Sequence, residues 1–125
     1  MLFAASAGVS AQEKSREEAD KQFFTALETQ VERYTDQLGL EDWQVFYVDS
    51  ILTHNMCALR TEVEALQAAR VSSGEYIEIA SDKWMEATYN AFRKVLNDEQ
   101  WEKYLKGGAK RDKAARDKRA AKRKQ

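Results

Sequence analysis

Leu40-Glu41-Asp42-Trp43-Gln44 and Leu96-Asn97-Asp98-Glu99-Gln100 are two copies of one pattern, a leucine followed four positions later by a glutamine, each opening a stretch of helical periodicity. The second copy reads as a helix start. Asn97 can cap a free backbone N–H of the first turn, and Gln100, three residues on, can reach back to the N–H of Asn97 itself. Leu96 stands just before the cap, where an apolar side chain staples the first turn. In the first copy Glu41 occupies the capping position, but its longer side chain folds back less readily than that of Asn, so Gly39 or Asp42 is the expected cap there. Leu40, Gln44, Leu96, Asn97 and Gln100 are therefore read as structural, helix-capping residues.

Upstream of the first copy, Phe24, Leu27, Val31, Tyr34 and Leu38 recur at spacings of three and four, which predicts a helix from about Glu13 to Leu38 with Gly39 as its C-terminal cap. A second helix is expected from about Asp42 to Val71, on a stripe of Val45, Val48, Leu52, Met56, Leu59, Val63 and Leu66, ended by Ser72-Ser73-Gly74. The third, Glu75 to Leu96, should bury Ile77, Ala80, Trp84, Ala87, Ala91 and Val95, and the fourth starts at Asp98 with Trp101, Tyr104 and Leu105. Proline is absent and no segment alternates as a strand would. The expected fold is all-α: an elongated arrangement of four helices in two hairpins, one domain over residues 12–106.

The start of the second helix carries more apolar surface than one stripe needs. Trp43, Val45, Phe46, Tyr47, Val48, Ile51 and Leu52 cover most of its circumference, and a helix apolar nearly all round must be covered nearly all round. Either the first and third helices suffice, or a second copy or a client protein completes the cover. Trp43, Phe46, Tyr47 and Ile51 are the candidate binding residues, and a homodimer is expected.

The two ends differ from the middle and from each other. Residues 1–11 (MLFAASAGVSA) carry no charge and finish in small side chains, which reads as the remnant of an export signal and is too short to span a bilayer. Residues 106–125 hold ten Lys or Arg against Asp112 and Asp117, a net of +8, so that a total of −1 leaves −9 on the rest of the chain. Beyond the Gly107-Gly108 hinge the only apolar side chains are alanines, and residues 107–125 are expected to be a flexible, disordered basic tail or a solvated helix. Its cations, Lys110, Arg111, Lys113, Arg116, Lys118, Arg119, Lys122, Arg123 and Lys124, suit an anionic envelope surface.

Catalysis finds little support here, and no enzyme is expected. There is no glycine-rich phosphate loop after a strand, and the paired carboxylates, such as Glu62 and Glu64, fall on charged helix faces. One cysteine, Cys57, cannot form an internal disulfide, and one histidine, His54, cannot complete a zinc site with it; Met56 points away from both. No metal and no cofactor are expected. Trp101-Glu102-Lys103-Tyr104 mixes aromatics with charge, yet a body of net −9 is the wrong sign for a nucleic-acid face, so no nucleic-acid partner is expected.

With its duplicated L-x-x-x-Q motif, its leader-like start and its helical content, the chain resembles the Spy/CpxP-like, LTxxQ-motif periplasmic proteins over roughly residues 13–106. Glu41 departs from the pattern, standing where Thr is usual. The resemblance implies an exported, soluble, periplasmic homodimer that holds unfolded or partner proteins without ATP, as a chaperone, or serves as an adaptor in an envelope stress response. The acidic body departs from the basic cradle of the chaperone members. The alternative is a structural or regulatory module that docks one partner and touches anionic envelope surfaces through its tail.

Overall fold

A computed structural model of the chain describes the backbone of residues 3–70 and 74–125 and the side chains from residue 11 onward, and all of its regular structure is helical. The elements are α1 (Phe3–Leu38), α2 (Asp42–Ala68), α3 (Gly74–Val95), α4 (Asp98–Tyr104), a π-type segment over Leu105–Ala109, and α5 (Lys110–Arg123). At about 1.5 Å per residue, the 27 residues of α2 make a rod of roughly 40 Å. The second helix, expected to run to about Val71, ends at Ala68, and Arg70 already has a left-handed backbone (φ 58°). Residues 71–73, with the expected break at Ser72-Ser73, and residues 1–2 lie outside the described residues; residues 3–11, the rest of the stretch read above as leader-like, belong to α1.

Gly39 ends α1 in the left-handed conformation (φ 62°), which only glycine adopts without strain, and its turn sends α2 back antiparallel to α1. Arg60 of α2 pairs with Asp20 of α1 at 2.5 Å and lies over the Phe23 ring, fixing that register. On the other side α2 runs antiparallel to α3, as Asn55 donates to Thr88 at 2.9 Å near the middle and Glu62 accepts from Trp84 at 3.0 Å towards the far end.

The core is small and lies close to the motif end. Leu27, Val31 and Leu38 from α1, Val48 and Leu52 from α2, Phe92 near the end of α3 and Leu96 just beyond it form the core, with Val48 and Phe92 fully buried. Tyr34 and Phe92 meet edge to face at 5.4 Å, and Tyr104 of α4 closes on both.

Two helix faces differ from the sequence expectation. In α1 the stripe begins at Phe23, which packs towards the core, whereas Phe24 is exposed. In α3 the buried line runs Ala80, Thr88 and Phe92 in place of Ala87 and Ala91. Thr88 is the reason: its hydroxyl donates to the Trp84 carbonyl at 2.8 Å and accepts from Asn55, so a polar residue occupies the core face without an unmade hydrogen bond.

The largest correction concerns the basic segment. Residues 110–123 are not a flexible tail but a helix, α5, lying antiparallel on α3. Gly107-Gly108 acts as the expected hinge, for Gly108 has φ 118° within the π-type segment and turns the chain so that α5 returns along α3.

Candidate functional site

The two motifs meet. Each glutamine opens its helix at the third position, and in each the side-chain oxygen accepts from the backbone N–H of the capping residue, Glu41 to Gln44 at 2.9 Å and Asn97 to Gln100 at 3.0 Å. The two amides also bond each other: Gln44 Nε2 donates to Gln100 Oε1 at 2.6 Å, and Gln100 Nε2 donates to Gln44 Oε1 at 2.9 Å. Their second N–H groups go to backbone carbonyls of the opposite loop, Gln44 to Val95 at 3.1 Å and Gln100 to Gly39 at 3.3 Å. Since Val95 and Gly39 each stand five residues before the glutamine of their own motif, the arrangement has internal two-fold pseudosymmetry.

Both glutamines are buried, and every donor and acceptor of their amides is used, which is the condition under which a buried polar pair stabilises rather than costs. Asn97 caps α4 as the sequence predicts, its Oδ1 accepting from the Gln100 N–H at 2.8 Å. At the first motif the expectation of Gly39 or Asp42 as cap is corrected: Glu41 itself is the N-cap, with extended backbone, and its carboxylate accepts from Trp43 Nε1 at 2.6 Å. Leu40 packs against the core and Leu96 is buried in it.

Directly beside this network α2 presents an aromatic patch. Trp43, Phe46 and Tyr47 are 52, 67 and 50% exposed, and the rings of Trp43 and Phe46 both stand edge-on to Tyr47, at 6.2 and 5.6 Å. Ile51, the fourth candidate residue, is only half-exposed and packs on the core, as does Val45. The first and third helices therefore cover one side of this segment and leave three large rings in water.

The basic residues divide into two faces of α5. Facing α3, Arg116 Nε donates to Glu86 at 3.0 Å, Arg119 makes a bidentate pair with Asp82 at 2.8 and 2.9 Å, and Arg123 reaches Asp82 and Glu78, each at 3.0 Å. Lys113 adds a pair to Glu86. Glu78, Asp82 and Glu86 recur at i+4 along α3, so they form a row that matches the arginines of an antiparallel helix. The arginine hydrogen bonds hold the Asp82 carboxyl below the usual aspartate range, and the Glu86 bond raises Lys113 above the usual lysine range. Lys110, Arg111, Lys118, Lys122 and Lys124 stay exposed to solvent. The summed charge of the body had concealed the acidic row, whose spacing is legible once α3 is drawn as a helix.

Among the described residues no group of three or more His, Cys, Asp or Glu side chains gathers as a metal site. His54 is exposed with its ring 6.2 Å from Trp84, and Cys57 is a half-buried free thiol. Among them, too, no helix is long and apolar enough to cross a membrane. Comparison with protein-family models, with curated proteins and with solved structures finds no match for this chain.

Proposed function

We propose that this chain is an exported, periplasmic helical binding protein that holds partly unfolded or partner proteins without ATP, in the manner of the Spy/CpxP-type proteins that its motifs resemble. The observation that carries the reading is the trio Trp43, Phe46 and Tyr47, exposed together on the first turns of α2 and backed by the buried glutamine pair. An apolar patch rimmed by charge suits reversible capture: the rings offer area to an unfolded segment, while Glu41, Asp42 and Asp49 keep the free surface wet. The same patch is the contact face of a homodimer in this reading, so that client capture competes with or follows self-association.

The test is light scattering of a reduced, aggregating protein with the chain at near-stoichiometric ratio, beside a Trp43→Ser/Phe46→Ser variant. Suppression by the wild type and its loss in the variant support the reading. Equal suppression by both removes the patch from it, and no suppression by either removes client holding. Sedimentation of the same two proteins reads the dimer.

A second reading rests on the outer face of α5, where Lys110, Arg111, Lys118 and Lys122 point away from α3. These cations suit anionic head groups of an envelope surface, each worth about 1 kcal/mol near a charged bilayer and screened by salt. Flotation with vesicles containing anionic lipid at low salt, against a quadruple Gln variant of these positions, tests it.

A further inference from the structure

The aromatic trio stands on a stretch of chain that has no cation of its own. From Tyr34 to Leu59 there is no Lys or Arg, while Asp36, Glu41, Asp42 and Asp49 fall within it. Three of these carboxylates border the rings, Glu41 and Asp42 just before Trp43 and Asp49 just after Tyr47 and Val48. Seven residues are about 20° short of two full turns, so Asp42 and Asp49 line one side of α2, about 10 Å apart along its axis. Glu41 is held at the edge of the Trp43 ring by its 2.6 Å bond to Nε1, and Asp49 accepts from the Thr53 hydroxyl at 3.1 Å. Among the described residues none of the three pairs with a Lys or Arg, because the cations around them are engaged elsewhere: Arg60 by Asp20 and Glu64, Arg93 by Asp98, and Lys103 by Glu99. Arg33 and Lys94 remain outside any ion pair, and the rim of the patch itself is purely anionic.

We propose that this rim makes the patch selective for cationic clients, unfolded protein segments in which Arg or Lys stand three or four residues apart with large apolar side chains between them. The inference rests on the client-holding reading of the patch and names the chemistry of the client. An extended segment covers about 10 Å in roughly three residues, so cations at that spacing reach Asp42 and Asp49 together while an apolar side chain between them meets the rings. Arg suits the site better than Lys, because a guanidinium also sits over an aromatic ring, as Arg60 does over Phe23 at 4.8 Å and Arg93 over Trp101 at 5.3 Å within this chain. A second copy is the poorer occupant. Seated patch to patch, it would set the carboxylates against their own equivalents, and α5 of another copy, though of the right charge, offers the rings only alanines. A cationic client therefore displaces self-association.

The test is fluorescence anisotropy of three labelled unstructured peptides, equal in length and in Phe and Leu content, whose polar positions are Arg, Gln or Glu, titrated with the full chain at low salt while amide chemical shifts locate the site. The Arg peptide should bind at residues 42–50, roughly tenfold or more tighter than the Gln peptide, the combined worth of two exposed ion pairs and one ring contact, and the Glu peptide should bind weakest. Added salt should narrow the gap. Asp42→Asn/Asp49→Asn changes two exposed positions and should bring the Arg peptide close to the Gln peptide, whose own affinity stays unchanged; Trp43→Ser/Phe46→Ser should abolish binding of both. Equal binding of all three peptides at the rings would overturn the charge selection and leave client holding in place, whereas no saturable binding of any peptide would remove client holding together with it. An unaltered Arg-peptide affinity in the Asn variant, shifts centred on Glu78, Asp82 and Glu86, or a homodimer that the Arg peptide does not dissociate in sedimentation would each overturn the proposal as well.

Discussion

Gln44 and Gln100, 56 residues apart in the chain, exchange two amide hydrogen bonds of 2.6 and 2.9 Å while each also closes the first turn of its own helix. One residue type at one position thus performs a local and a long-range task, and the two helical hairpins are joined where their loops touch.

Removing either partner should be expensive. Gln44→Ala or Gln100→Ala leaves a buried amide and two backbone carbonyls or N–H groups short of partners, and about 2–3 kcal/mol of stability should be lost in a urea titration. The Gln44→Leu/Gln100→Leu double variant should lose less than the sum of the two single changes, by roughly 0.5–3 kcal/mol, since no half of the pair remains stranded. Additive losses would mean that the glutamines act only as separate caps.

The two caps should respond in opposite directions. Asn97→Ala should cost about 1 kcal/mol, whereas Glu41→Asn should stabilise by a few tenths to about 1 kcal/mol, because Asn is the better N-cap and the Glu41 bond to Trp43 lies in water. Thermal melts of the two variants decide this.

The arginine zipper predicts that α5 comes away before the bundle unfolds. Its contacts with α3 are mostly ion pairs, with little apolar surface beneath them, and in 1 M salt the screening length falls to about 3 Å. Amide exchange across 110–123 should quicken with salt while the Val48 and Phe92 amides stay protected, and Asp82→Asn should reproduce the effect at low salt.

Acid should do the same, and its sign follows from Asp82. Its carboxyl titrates lower docked than free, so protonation favours the undocked helix; the stabilisation is complete above the ordinary aspartate value of about 3.9 and drains away as pH falls below it. Exchange rates in α5 that stayed flat from neutrality to pH 2 would contradict the docking energetics.

Core and patch should separate cleanly by mutation. Phe92→Ala should cost about 3–5 kcal/mol, while Phe46→Ser should change stability by no more than about 0.5 kcal/mol. Chemical denaturation of both variants reads the contrast.

The sequence by itself determined what depends on neighbours within a turn or two of helix. Apolar spacing placed the first four helices, although α1 begins earlier than its stripe, at Phe3; Asn97 with Gln100 announced the start of α4, and Gly39 and Gly107-Gly108 marked where the chain reverses. The exposed trio was legible for the same reason, as Trp43, Phe46 and Tyr47 exceed what one stripe can hide. Only the tertiary structure decided which distant groups meet. Thr88 enters the core because Asn55 stands opposite it, and Gln44 finds Gln100 because two loops converge. The basic segment becomes ordered because Glu78, Asp82 and Glu86 stand in register with Arg123, Arg119 and Arg116. Composition registers those charges only as a sum, and the expectation of a free tail followed from the absence of large apolar side chains. Ion pairing depends instead on the positions of charges on two separate helices, and those positions exist only once α5 is folded against α3.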